Sequence, residues 1–93
     1  MNRFLMLAFE YSNVIHYCLI RFKGLQKHNE YAITIMNGEL EKILFGNHII
    51  CEKDGYLFLE SKGDEVQRLL KERIALKLSK LLNLPLKRLQ EQT

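Results

Sequence analysis

The chain has 93 residues, 47% of them apolar and 27% charged, with a net charge of +3; that describes one ordinary globular domain, too short for two independent cores. One proline and five glycines exclude a collagen-like repeat or a low-complexity tail, and 10% aromatic residues allow folding without disulfides or metal. The charge is uneven, with 6 Lys/Arg against 7 Asp/Glu in residues 1–61 and 8 against 4 in residues 62–93. The basic C-terminal segment reads either as an anion-facing surface or as a solvated, lysine-rich helix face.

The first apolar run, Phe4–Phe9, is too short for a signal peptide, is interrupted by Glu10, and has no small-residue cleavage pattern after it. Extending the window to Phe22 takes in Glu10, Asn13, His16 and Arg21, which argues against a membrane helix. Phe4–Tyr11 is therefore read as a strand pairing with Val14–Phe22 through Ser12-Asn13, a short buried helix being the alternative. Val14–Phe22 is rich in β-branched and aromatic residues and reads as a strand; Lys23–Asn29 is a polar connection. His16 and Cys18 share a strand face, but two ligands are too few for zinc. Cys18 and Cys51 have no CxxC spacing and no nearby Cys/His set, and read as reduced, half-buried strand residues of a cytoplasmic protein.

Between Tyr31 and Ser61 lie three two-residue turn candidates, Asn37-Gly38, Gly46-Asn47 and Asp54-Gly55. Such pairs suit hairpins because type I′ turns need positive φ at both central residues. They divide the segment into four strand-length pieces, Tyr31–Met36, Glu39–Phe45, His48–Lys53 and Tyr56–Glu60. The implied registers collect Tyr31, Ile33, Ile35, Leu40, Leu44, Ile49, Cys51, Tyr56 and Phe58 on one apolar face. The opposite face mixes Thr34, Glu39, Glu41, His48 and Glu52 with Met36, Ile43, Ile50, Leu57 and Leu59, and part of it is expected to be covered as well. The same register sets Glu41 opposite Glu52, the sharpest acidic pair in the chain.

After Ser61 the period changes. Asp64 is placed to cap a helix, with Val66, Leu69, Leu70, Ile74, Leu78, Leu81 and Leu82 recurring at threes and fours and Ala75 and Leu76 widening the stripe. Pro85 predicts an end near Asn83, followed by a last short turn over Leu86–Gln92. The predicted architecture is α+β: an antiparallel β-meander of four to six strands packed in two layers against one long C-terminal helix. It is a single domain over residues 1–93, with an N-terminal element and strand (1–30), a meander (31–61), and a helix and tail (62–93).

Chemistry is sparse. Ser12, Ser61 and Ser79 lie outside any nucleophile elbow, His16, His28 and His48 are scattered, and no phosphate-binding loop is present. The expectation is a non-enzymatic module without cofactor, catalytic residues or metal. The helix's apolar arc is wider than one sheet face needs, so Leu69, Leu76 and Leu81 are candidates for self-association, an isologous homodimer being the default; another protein is a further possible partner. Leu78–Leu89 resembles a helix-turn-helix unit, with the small Ser79 in its first helix and Asn83 at the turn. That resemblance implies DNA or RNA contact through Lys77, Lys80, Lys87 and Arg88.

Overall fold

The computed structural model describes residues 3–89. Eight elements succeed one another: strands β1 (Arg3–Tyr11), β2 (Val14–Gly24) and β3 (Asn29–Ile35), helix α1 (Gly38–Ile43), strands β4 (Ile49–Lys53) and β5 (Tyr56–Glu60), helix α2 (Glu65–Leu82) and strand β6 (Leu86–Leu89). The six strands form one sheet in sequence order. Neighbours are antiparallel except β5 and β6, which are parallel because α2 carries the chain back across the sheet. The fold is the expected α+β arrangement, with α2 as the long helix. No helix among the described residues is long and apolar enough to cross a membrane.

The first hairpin forms as the sequence implies. Tyr11 pairs with Val14 across Ser12 and Asn13, whose φ values of 52° and 62° match a type I′ turn. Phe4–Tyr11 is thus strand rather than helix. Because Asn13 holds a left-handed backbone that glycine adopts without a Cβ penalty, Asn13→Gly is expected to raise the unfolding free energy by about 0.5 kcal/mol, measurable as a shift of the urea midpoint at constant slope. The second type I′ hairpin, Asp54-Gly55, has φ values of 55° and 83° and pairs Cys51 with Phe58.

Residues 38–43 depart from expectation, being helix rather than strand. Asn37 does not turn a hairpin; its side-chain oxygen accepts the N–H groups of Glu39 (3.0 Å) and Leu40 (3.1 Å), capping α1. Glu39 and Glu41 lie in the first turn, where the helix dipole favours them, and Leu40 and Leu44 bury one face. Removing a strand from the meander shifts the parity of β4 and β5. Tyr31 now pairs with Ile50, so Ile50, Leu57 and Leu59 face the core. Ile49, Cys51, Tyr56 and Phe58, expected inside, lie on the outer face.

The core lies between the inner sheet face and the two helices. Leu7 and Phe9 of β1, Cys18 and Ile20 of β2, and Tyr31, Ile33 and Ile35 of β3 meet Leu70, Ile74, Ala75 and Leu78 of α2. Asp64 caps α2 by accepting the Gln67 N–H at 2.8 Å. Asn83 ends it in the left-handed region at φ 55°, as the sequence predicts. The short turn expected over Leu86–Gln92 is instead β6 as far as Leu89; residues 90–92 lie outside the described residues.

Candidate functional site: the free edge of β1 and the exposed face of α2

Strand β1 is one edge of the sheet, and its backbone pairing can be traced from a single bond. The Met36 N–H donates to the Tyr17 carbonyl at 2.9 Å, so Tyr17 turns its backbone groups toward β3 and its neighbour Cys18 turns toward β1. Cys18 lies opposite Leu7. In an antiparallel ladder the groups alternate, so Leu7 bonds inward while Phe4, Met6, Ala8 and Glu10 present their N–H and C=O groups to the open side. Nine residues run there without a bulge or proline, so two common ways of blunting an edge are missing.

Helix α2 stands beside this edge. Between them runs a groove with Ala8 and Phe9 on the strand side and Arg73, Leu76, Lys77 and Lys80 on the helix side. Three cations on one wall give it a basic character, with Glu10 at its rim.

The three leucines proposed for self-association are all exposed: Leu69 by 45%, Leu76 by 38% and Leu81 by 56%. At about 100° per residue, Leu69 and Leu76 lie within about 20° of each other on the helix, while Leu81 is about 140° from Leu76. The structure therefore sets Leu69 and Leu76 on one face and Leu81 on another. The expectation of apolar stripe beyond what the sheet covers holds at Val66 too, which is half exposed.

The four basic candidates are divided. Lys77 and Lys80 line the β1 groove, but Lys87 and Arg88 belong to β6, the opposite edge. Lys87 sits 5.7 Å above the Tyr56 ring on the outer face. Arg88 donates to Glu72 of α2 at 3.0 Å. The helix-turn-helix reading fails because β5 recruits residues 86–89 as a strand; Ser79 serves instead to close the α2 end, its hydroxyl donating to the Leu84 carbonyl.

The Glu41–Glu52 pair is also separated. Glu41 lies on α1, accepts the Ile35 N–H at 2.9 Å and has an oxygen 2.9 Å from His48 Nε2. That nitrogen makes no hydrogen bond among the described residues, so the contact is one of proximity rather than alignment. Glu52 accepts the Tyr31 hydroxyl at 2.6 Å; burial first, then this carboxylate, pushes the Tyr31 phenol well above its ordinary value. His16 packs against Phe9 at 5.8 Å between ring centroids, and Cys18 is fully enclosed, its thiol pushed up to about 12 by burial.

One grouping has no counterpart in the sequence reading. His28, Glu30 and Cys51 converge on the outer sheet face, with ligand atoms all within 4.8 Å of one another. The sequence shows no Cys/His set near Cys51; the β3–β4 register brings this group together by setting Glu30 opposite Cys51. No local spacing signals that juxtaposition.

The chain matches no family model, and comparison with curated proteins and with solved structures likewise finds no match.

Proposed function

We propose that this chain is a non-enzymatic protein–protein interaction module that self-associates along the free edge of β1. The observation carrying this reading is the nine-residue edge whose Phe4, Met6, Ala8 and Glu10 backbone groups have no partner strand among the described residues. Pairing with a second copy related by a two-fold axis would set Met6 opposite Ala8 and Phe4 opposite Glu10 of the other copy, so every free group would find a partner. The same axis brings the two α2 helices together over the seam, where Leu69 and Leu76 supply apolar area. Each half-exposed leucine so covered would contribute about 1 kcal/mol. Cytoplasmic residence accords with free, reduced cysteines.

Light scattering at micromolar concentration tests this. The expected mass is twice the 11.0 kDa of one chain. Ala8→Pro removes an N–H that faces the open side, a change an edge strand tolerates, and should give a folded monomer with unchanged far-UV circular dichroism. Leu76→Glu should do the same, while Arg88→Glu, at the opposite edge of the sheet, should leave the dimer intact. A monomeric mass for the unaltered chain rejects the proposal.

The basic helix wall supports a second reading, a nucleic-acid-binding accessory protein contacting phosphates through Lys77 and Lys80. Fluorescence anisotropy at low salt separates the two: salt-sensitive polynucleotide binding abolished by Lys77→Glu and Lys80→Glu favours this reading, and no binding discards it.

A further inference from the structure

We propose that His28, Glu30 and Cys51 form a divalent transition-metal site, with zinc the best match and one coordination position left open. The proposal is independent of the β1 edge, because these residues occupy the outer face at β3 and β4.

Distances within the group already approach those of a metal centre. His28 Nε2 and Glu30 Oε2 are hydrogen-bonded to each other at 3.2 Å. Two ligands bound tetrahedrally at about 2.0–2.1 Å stand about 3.3 Å apart, so this pair already has the spacing of one edge of a zinc tetrahedron. A thiolate bound at about 2.3 Å stands about 3.6 Å from a nitrogen or oxygen ligand. Cys51 Sγ is within 4.8 Å of both, and a rotamer-scale movement of about 1 Å closes the difference.

The backbone places all three residues. The Leu25 N–H donates to the His28 carbonyl at 2.9 Å, closing the loop that delivers His28 to the start of β3. Glu30 and Cys51 are opposed in the ladder, where facing side chains stand about 4.5–5.5 Å apart at Cβ. His28 and Glu30 are about one-third exposed, at 34% and 27%, and Cys51 is half-buried; a small ion can reach the group and leave a coordination position to water.

The donor set selects the metal. One imidazole, one carboxylate and one thiol suit zinc; magnesium and calcium prefer oxygen ligands throughout. Without a cation the neighbourhood is unfavourable to thiolate, since Cys51 is pushed above its ordinary value by burial first and then by Glu30 and Glu60. A bound dication reverses that balance: the thiol proton leaves to solvent as the metal–sulfur bond forms, and the carboxylates then favour the ion. Lys71, whose charge acts on Cys51, and Lys23, paired with Glu30 across β2 and β3, are the nearby positive charges opposing it.

Cobalt(II) replacing zinc provides a spectroscopic test in the intact chain. The expected result is one metal per chain, a thiolate-to-cobalt charge-transfer band, and bleaching of the cobalt spectrum on adding zinc. Cys51→Ala should abolish the charge-transfer band, His28→Gln and Glu30→Gln should weaken affinity at least tenfold, and Lys23→Ala should strengthen it. His16→Gln is the control and should change nothing. These positions lie outside the core, and circular dichroism checks that each variant is folded. Absence of a thiolate band in the unaltered protein, or binding indifferent to Cys51→Ala and His28→Gln, overturns the proposal.

Discussion

Phe9→Ala is expected to lower the unfolding free energy by about 3–5 kcal/mol, through lost apolar transfer and an unfilled cavity. Phe9 heads the large side chains that are fully enclosed, at 1% exposure. It stands on the inner face of β1 where α2 crosses, and it also packs against His16. A domain of this length has about 5–14 kcal/mol of stability in total, so the loss consumes a large share and brings the midpoint of urea unfolding close to zero denaturant. Phe45→Ala is the matched control: the same side chain is removed, but Phe45 is 83% exposed after α1, and the change should stay within about 0.5 kcal/mol. Phe9→Leu should fall between them, because most of the volume is retained. Equal effects at Phe9 and Phe45 would contradict the helix-on-sheet seam on which the fold rests.

That seam is legible in the sequence because its signals are local. Ser12-Asn13 and Asp54-Gly55 turn their hairpins by backbone preference at two adjacent residues, and α2 is bounded by Asp64 at one end and by Asn83 before Pro85 at the other. Helix α1 is not legible, because Asn37 serves a helix start as well as a hairpin. The spacing of Leu40, Ile43 and Leu44 is the available clue to a helix. Reading that segment as strand inverts the faces of β4 and β5, since side-chain direction in a strand depends on counting from its neighbour. Strand β6 escapes for a different reason: a parallel pairing made across a helix leaves no turn signature beside it. The His28, Glu30 and Cys51 grouping depends on β3–β4 register, so it stays hidden until register is known. Leu69 and Leu76 are recognisable as surplus apolar surface from the width of the α2 arc alone. The β1 edge beside them requires knowing the strand order.

Asn47→Ala is expected to destabilise the protein by about 3 kcal/mol at neutral pH, a large effect for an uncharged loop residue. The reason lies in Lys71, only 3% exposed on α2, whose amine donates to Asn47 Oδ1 at 2.5 Å. Asn47 in turn donates to the Lys62 carbonyl at 3.2 Å, so one buried amide ties the α1–β4 loop, the approach to α2 and the helix itself together. Removing it leaves an ammonium enclosed without its acceptor. Lys71→Met, which replaces the cation by an apolar chain of similar length, should be milder, and the double variant should recover part of what Asn47→Ala alone loses. The pH dependence gives the sharper test. Burial holds the Lys71 amine below its ordinary value of 10.5, so between the folded value and 10.5 the unfolded chain binds more protons and stability rises with pH. Without the Asn47 carbonyl the charged form is disfavoured further and the window widens downward. The deficit of Asn47→Ala relative to the double variant should therefore shrink as pH climbs toward 10.5. Cys18 acts oppositely: its folded value of about 12 exceeds the ordinary 9.0, so its contribution is lost as pH rises through that interval, and comparing the two variants at each pH cancels it. A deficit that is the same at every pH would mean that Asn47 acts through the loop backbone alone and that the Lys71 charge has no part in it.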